Sequence, residues 1–228
     1  QGLRAAQSTV DSDHHVHSLH AYFIRGGRID EPIRYEVDRI RNGRSFVTRR
    51  VVARQSEGAI LNLSCSFQIR EDQADVQEST LSTDLGGVGG GTNEDWGMLE
   101  RRGVCQEVGR TAAWLRVVGP LGDDPVVQAC ALAYASDDLP TTAAGSSHPR
   151  MAELDGDRMT FGDIFVGASL DHAIWFHRPA PADEWQLHDF RSHGLSGGRG
   201  MSIGEGFSAD GIHVATVAQQ TLFRERTR

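Results

Sequence analysis

Residues 168–179 read ASLDHAIWFHRP, and the interpretation of the fold starts from this stretch. Its residues alternate with a period of two, which predicts a β-strand. On each face of the strand a polar residue stands near the N-terminal end, and large apolar residues stand at the C-terminal end. On strict alternation Ser169 and Asp171 share one face, while His172 lies on the other. A largely buried strand with three polar residues at one end indicates that these residues have a structural or chemical task.

Further strand-like runs, bounded by turns rich in Gly, Asn and Asp, stand at 17–26, 33–40, 44–55, 59–69, 110–119, 185–192, 199–208 and 211–224. Asp124 and Pro125 form a helix start, and the apolar pattern that follows predicts a helix ending near Ser136–Asp137. Residues 1–10 have the composition of the last turns of another helix. Residues 139–158 are interpreted as a long loop.

The two halves of the chain match at a fixed offset of 153 residues. Phe23 then corresponds to Phe176, Arg25 to Arg178 and Gly58 to Gly211. The order of strands and turns agrees as well, so a duplicated unit of a helix and an antiparallel sheet is the simplest account. Between the halves, residues 71–109 begin with an acidic and then Gly-rich run, which predicts a flexible connector.

Composition limits the classes of function. The 228 residues carry a net charge of −8, which argues against general nucleic-acid binding, and no apolar run is long enough for a membrane span. The three cysteines form no CxxC pair, and the first residues lack the features of a signal peptide, so a cytoplasmic protein is expected. All 23 basic residues are Arg, and nine of them lie in 25–54 among four acids. This local excess suits a nucleotide phosphate, although a solvated strand pair explains it equally well.

Five motifs occur together in one order: HSLHAYFIRGG (17–27), SFVTRRVVARQ (45–55), LSCSFQ (63–68), LAYASD (132–137) and SLDHAIWFHRP (169–179). With them the chain closely resembles the acyl-CoA thioesterase II (TesB-like) family. The resemblance implies an α+β double hotdog, in which a long helix lies across a curved antiparallel sheet, twice. It implies a first repeat at 1–70, which lacks its first strand and helix start, the connector at 71–109, and a second repeat at 110–228.

The resemblance also implies chemistry. Family members hydrolyse fatty acyl-CoA thioesters with an Asp, a Thr or Ser, and a Gln, which correspond here to Asp137, Ser169 and Gln219. The neighbouring Gln220 is the alternative, because strand register decides which glutamine faces the site. Water activated by Asp137 attacks the thioester, and neither a metal nor another cofactor is expected. Members often assemble as homo-oligomers, so a dimer or tetramer is expected. The nucleotide end of the substrate is expected to meet basic residues, with four candidates: Arg25, Arg49, Arg50 and Arg178.

Two alternatives remain open at this point. A hotdog enoyl-CoA hydratase or dehydratase would use His172 and Asp171 as an acid–base pair. A protein that binds acyl-CoA without catalysis would keep the fold and not the reaction. The histidines between His14 and His20 lack the spacing of a tetrahedral metal site, so a surface loop leading into a strand is the favoured interpretation there.

Overall fold

The computed structural model describes residues 1–90, 93–95, 97–154 and 161–226. Twelve strands of this part form one antiparallel sheet: β1 (His14–Phe23), β2 (Arg34–Asn42), β3 (Phe46–Gln55), β4 (Gly58–Ile69), β5 (Asn93–Asp95), β6 (Leu99–Glu107), β7 (Arg110–Val117), β8 (Phe165–Ser169), β9 (Asp171–Phe176), β10 (Gln186–Ser196), β11 (Arg199–Ser208) and β12 (His213–Glu225). Four α-helices accompany it: α1 (Gly2–Gln7), α2 (Pro125–Ala135), α3 (Pro140–Gly145) and α4 (Phe161–Ile164). Short 3-10 turns cover Thr83–Leu85 and Pro149–Glu153.

The strand order is β2-β3-β4-β1-β9-β12-β11-β10-β7-β6-β5, and β8 also pairs with β12. The first four strands of the chain therefore stay together, and the remaining strands form the other part of the sheet. The pairing of β1 with β9 joins the two parts. In that pair Ser18 lies opposite Trp175 and Tyr22 opposite Asp171. The large antiparallel sheet expected from the sequence is thus present.

The main core lies between the sheet and the helices α1 and α2. Leu3 and Ala6 of α1 and Leu132 of α2 are buried there against sheet residues such as Phe67 and Ile174. Asp124 caps α2, because its side chain accepts a hydrogen bond of 2.9 Å from the Val126 N–H. The helices are shorter than the long helices that the resemblance implies: α1 has 6 residues and α2 has 11.

Part of the expected loop 139–158 is helical. Pro140 occupies the first turn of α3, where a missing N–H costs no helical hydrogen bond. The helix packs closely on the sheet, since Ala143 and Ala144 are fully buried and a Cβ at Gly145 would lie 2.3 Å from the ring of Phe223. Small side chains therefore let α3 pack closely against the last strand, β12.

The expected connector 71–109 also contains strands. In it β6 pairs along its length with β7, and β5 pairs with β6, so the sheet begins before residue 110. Two ion pairs tie the rest of the segment down: Asp84 binds Arg110 at 2.9 Å, and Asp75 binds Arg178. The expected boundary at 109/110 therefore divides a pair of adjacent strands.

The clustered histidines lie within strand β1 and not in a loop. His14 is buried and bonds to Asp13, and His17 bonds to Ser66 on β4. Among the described residues no three His, Cys, Asp or Glu side chains are grouped so as to hold a metal ion. No helix in the described ranges is long and apolar enough to cross a membrane.

Candidate active site

Three side chains from separate elements meet at the end of α2. Asp137 follows the helix, Ser169 is the last residue of β8, and Gln219 lies on β12. Ser169 Oγ donates a hydrogen bond of 2.9 Å to Asp137 Oδ1, and Gln219 Nε2 donates one of 3.0 Å to Ser169 Oγ. Asp137 and Ser169 are half-buried, whereas Gln219 is fully buried. The carboxylate and the hydroxyl are thus held in place from the protein interior.

An extra residue in the strand brings Ser169 and His172 to the same face. Ser169 lies opposite Thr221 on β12, and Ala173 lies opposite Ala218. Four steps along one strand therefore match three along the other, which is a β-bulge around Leu170. Strict alternation would have placed Ser169 and His172 on opposite faces, so the sequence interpretation of 168–179 as one regular strand is wrong here. The bulge aims both side chains at Gln219.

Behind this group lies a buried set of hydrogen bonds. His172 Nδ1 is 2.5 Å from Gln219 Oε1, and His172 Nε2 is 2.9 Å from Ser136 Oγ. Ser136 Oγ is also 3.1 Å from the Ala133 carbonyl in the last turn of α2. His172 is 4% exposed and Ser136 is fully buried. Both ring nitrogens of His172 are occupied by protein partners.

The neighbouring acid, Asp138, is in a different environment. Burial raises the pKa of its carboxyl, and Arg101 on β6 opposes that effect from 3.5 Å. Arg101 also pairs with Glu94 at 3.1 Å. The strand β6 was assigned to the connector in the sequence interpretation. Its Arg101 contacts Asp138, the residue that follows Asp137.

Two further polar residues considered from the sequence, Gln220 and Asp171, lie outside this hydrogen-bonded group. Gln220 follows Gln219 on a regular part of β12, so their side chains point to opposite faces of the sheet. The Gln220 N–H donates to Asp171 Oδ1 at 2.8 Å. Asp171 therefore fixes the backbone of β12 beside the bulge, and Gln219 is the glutamine that reaches Ser169.

Of the four arginines, Arg49 is buried in the structure and cannot meet a ligand. It is 2% exposed, and its guanidinium donates five hydrogen bonds of 2.7–3.0 Å, to the Thr9 hydroxyl, the Asn42 side chain and the backbone carbonyls of Thr9, Arg41 and Thr48. These bonds join the chain after α1 to the turn between β2 and β3. Its expected role at the nucleotide end of a substrate is therefore wrong, because all its N–H groups serve the interior.

The other three arginines are spread over the sheet. Arg50 is half-exposed on β3 and faces Asp38 at 3.6 Å. Arg178 follows the far end of β9, nine residues after Ser169, which corresponds to roughly 25–30 Å along an extended chain. Arg25 follows β1, and the Phe23 N–H donates to the Leu170 carbonyl next to Ser169. Backbone register thus brings Arg25 alone of the three to the end of the sheet where Ser169 lies.

Asp137, Ser169 and Gln219, which the family resemblance implies, lie together in the structure. Ser136 was not expected from the sequence, and His172 was expected only in an alternative reaction. The available signal was the group of polar residues that includes His172 at one end of a largely apolar strand, but pairing with Ser136 across 36 residues has no local pattern. Chemically, the group offers one ionisable oxygen acceptor and one hydroxyl, both half-buried, and one buried amide. Such a set can orient a water molecule and accept its proton.

Comparison with protein families gives two adjacent matches. A family described as "Acyl-CoA thioesterase N-terminal domain" matches residues 1–68, and one described as "Acyl-CoA thioesterase C-terminal domain" matches residues 67–223. Among curated proteins, acyl-CoA thioesterase 2 of Haemophilus influenzae is 29% identical over 98% of this chain and 85% of its own length. Acyl-coenzyme A thioesterase 8 of Mus musculus is 30% identical over 98% of this chain and 78% of its own.

Solved structures agree with these matches. The acyl-CoA thioesterase II TesB2 of Mycobacterium marinum superposes with a TM-score of 0.86 at 36% identity, over 100% of this chain and 87% of that one. A hot-dog-fold protein of unknown function from Alicyclobacillus acidocaldarius superposes with a TM-score of 0.74 at 17% identity, over 99% and 85%. The second likeness bears on the fold alone.

Proposed function

The chain belongs to the acyl-CoA thioesterase family, and we propose on that premise that it hydrolyses fatty acyl-CoA thioesters to a fatty acid and coenzyme A. The observation that carries the proposal is the hydrogen-bonded group of Asp137, Ser169 and Gln219. These three residues come from distant parts of the chain and meet beside a half-buried position. The family membership supplies the substrate class, and the group supplies the means of attack.

In the proposed reaction a water molecule attacks the thioester carbonyl carbon. Asp137 accepts one proton of that water as it attacks, so that the attacking oxygen gains hydroxide character. Ser169 and Gln219 orient the water by hydrogen bonds, which fixes its line of approach. The tetrahedral intermediate then expels coenzyme A as a thiolate, and the proton held by Asp137 passes to the thiolate or to solvent. A thiolate is a good leaving group, so the step needs no strong acid.

We propose that the fold is a double hotdog, divided near residue 70 with the connector following it. Strand positions support this, because β2 and β10 begin at Arg34 and Gln186, and β3 and β11 at Phe46 and Arg199. The β3 and β11 ranges differ by 153 residues at both ends, as the repeat in the sequence requires. The short helices and the strands within 71–109 are departures from the simplest form of such a fold.

The repeat also supports one site per chain. Subtracting 153 from Ser169 and His172 leads to Val16 and Leu19 in the first half, which are apolar. Thr9 follows α1 where Asp137 follows α2, so no carboxylate stands at that position. The first half therefore contributes fold and contacts, and the second half contributes the reacting groups.

For the nucleotide end of the substrate we propose Arg25, since the end of β1 lies beside Leu170 through backbone register. Arg50 and Arg178 remain secondary candidates, each with an acidic neighbour in the structure. Assembly as a homo-oligomer also remains a proposal. The hydratase alternative would require the ring of His172 to meet the substrate, and its burial and its two protein partners speak against that.

The proposal is tested by thiol release from a series of acyl-CoA substrates of increasing chain length. Asp137→Asn is expected to lower kcat by roughly 10²–10⁴-fold, because the base is removed and the shape is kept. Asp138→Asn is the matched control, since it changes the adjacent acid, and its kcat should stay within a few-fold. Burial raises the pKa of the Cys65 thiol to about 12 and also raises the pKa values of the Cys105 and Cys130 thiols, so the protein's own thiols are less reactive in this assay.

Near-native turnover by Asp137→Asn would overturn the assignment of the base. Tight binding of acyl-CoA without release of thiol by the native protein would support the non-catalytic alternative instead.

A further inference from the structure

We propose that His172 and Ser136 are positioning residues, which fix the side-chain amide of Gln219 so that its NH₂ group faces Ser169. The inference rests on the proposed function and adds two residues to the site. Neither residue touches the position of the reacting water in this arrangement. Their effect passes through Gln219, whose amide has two ends with opposite hydrogen-bonding character.

The direction of each hydrogen bond follows from the carboxylate. As the base of the proposed reaction, Asp137 is ionised and can only accept, so Ser169 must donate to it. Since the single proton of Ser169 is used in that bond, the oxygen of Ser169 can only accept from Gln219. The amide nitrogen of Gln219 therefore faces Ser169, and its oxygen faces His172.

The proton on the imidazole of His172 is fixed by the same hydrogen bonds. Because Gln219 Oε1 can only accept, His172 Nδ1 must carry a hydrogen. In the neutral ring Nε2 is then an acceptor, so the single proton of the Ser136 hydroxyl goes to Nε2 at 2.9 Å in preference to the Ala133 carbonyl at 3.1 Å. Four bonds thus run in one direction, from Ser136 through His172, Gln219 and Ser169 to Asp137.

Burial makes this order the favoured one. Ser136 and Gln219 are fully buried and His172 is 4% exposed, so water does not readily replace a lost partner. Turning the amide over would place its NH₂ against the Nδ1–H and its oxygen against the oxygen of Ser169. Both contacts would then be mismatched, and buried mismatched polar groups are strongly disfavoured.

The orientation matters because the amide nitrogen carries two hydrogens. One is bonded to Ser169, and in the proposed reaction the second donates to the attacking water once that water is bound beside Ser169. A reversed amide would present an oxygen there and would no longer donate. We therefore infer that the network behind the site sets the chemistry of its third member, and that its loss lowers kcat more than it changes KM.

The test compares three variants in thiol release. His172→Leu removes both bonds and is expected to lower kcat about tenfold to a hundredfold with KM within threefold. His172→Asn can again place an N–H near Nδ1 and should recover part of the lost kcat. The matched control is His188→Leu on β10, because His188 is 2% exposed and neither of its ring nitrogens has a hydrogen-bond partner among the described residues.

His172→Leu with native kcat would overturn the inference, as would equal losses in His172→Leu and His188→Leu. Full activity of Asp137→Asn and Gln219→Ala would refute the assignment of the reacting group and not this step alone, whereas no thiol release by the native protein would refute the proposed function itself. A measurement on the native protein avoids misfolded variants: nitrogen-15 NMR of His172 should report a protonated Nδ1. A neutral ring with its proton on Nε2 alone would contradict the order of bonds given above.

Discussion

Ser169 and Asp137 are 32 residues apart in the chain, and the hydroxyl of the first donates a 2.9 Å hydrogen bond to the carboxylate of the second. Their meeting depends on two local features: α2 ends just before Asp137, and the bulge at Leu170 turns Ser169 toward β12. Replacing Ser169 while Asp137 is kept therefore tests the hydroxyl separately from the carboxylate.

Replacing Ser169 by Ala removes the bond to Asp137 and the acceptor for Gln219. We expect kcat to fall by about 10²-fold, because the water and the base are no longer held in line. Ser169→Thr keeps the hydroxyl and serves as the control, with kcat expected within about tenfold of native. Steady-state thiol release on one acyl-CoA measures both, and equal activity of the two variants would remove Ser169 from the site.

Buried His188 should make the fold sensitive to acid. Burial lowers its pKa from 6.5 to about 4, so below pH 6.5 the unfolded chain takes up a proton that the folded chain does not. Stability is therefore lost as pH falls from 6.5 toward 4, by roughly 2 kcal/mol between pH 6.5 and 5. His188→Leu should lose less over this range in urea unfolding experiments. Identical losses of stability in the native protein and in His188→Leu would show that His188 does not cause the acid sensitivity.

Arg110 joins β7 to β10 through two parallel bonds to Asp189, at 2.9 and 2.8 Å. Asp189→Ala would leave a largely buried guanidinium with a single exposed partner, Asp84, and we expect a loss of about 3 kcal/mol in the free energy of unfolding. Asp75→Ala is the control, since it removes the exposed partner of Arg178 and should change stability little. Denaturant midpoints measure both, and comparable shifts would count against the role of burial.

Replacing Arg49 can distinguish a structural role of this residue from a role in substrate binding. Arg49→Lys cannot reproduce bonds to five acceptors from one planar group, so we expect about 2 kcal/mol less stability with an unchanged KM. Arg25→Lys is the comparison, because among the described residues its exposed side chain has one hydrogen-bond partner, the Glu57 carbonyl. A higher KM together with an unchanged melting temperature in Arg49→Lys would restore the binding role.

Much of the strand order could be predicted from the sequence, because alternation and turn residues mark β3, β11 and β12 to within two residues. The strand β6 could not, since it is half-buried, contains Arg101, Arg102 and Gly103, and owes its position to pairing with β7. The helix α3 was missed for a related reason. Its Pro–Thr–Thr–Ala–Ala–Gly sequence has no apolar period, and close packing on the sheet stabilises it.

The site divides in the same way. Asp137, Ser169 and Gln219 could be named because the motifs around them resemble a family, whereas spacing alone would not join positions 137, 169 and 219. The bulge at Leu170 could not be predicted, because an extra residue is defined by the partner strand and not by the strand that contains it. Strict alternation therefore separated Ser169 from His172, and the network behind Gln219 stayed hidden.

The pairing of β1 with β9 has a consequence for how the chain is made. During synthesis the first half emerges first, and until β9 is available β1 has an unpaired edge of backbone N–H and C=O groups. That edge is a template for any strand of suitable register, including one from another nascent chain. When β9 docks on it, the open edge is closed and His172 is carried into place by the same event. The site is then complete once β12 pairs with the other edge of β9 and brings Gln219 to His172.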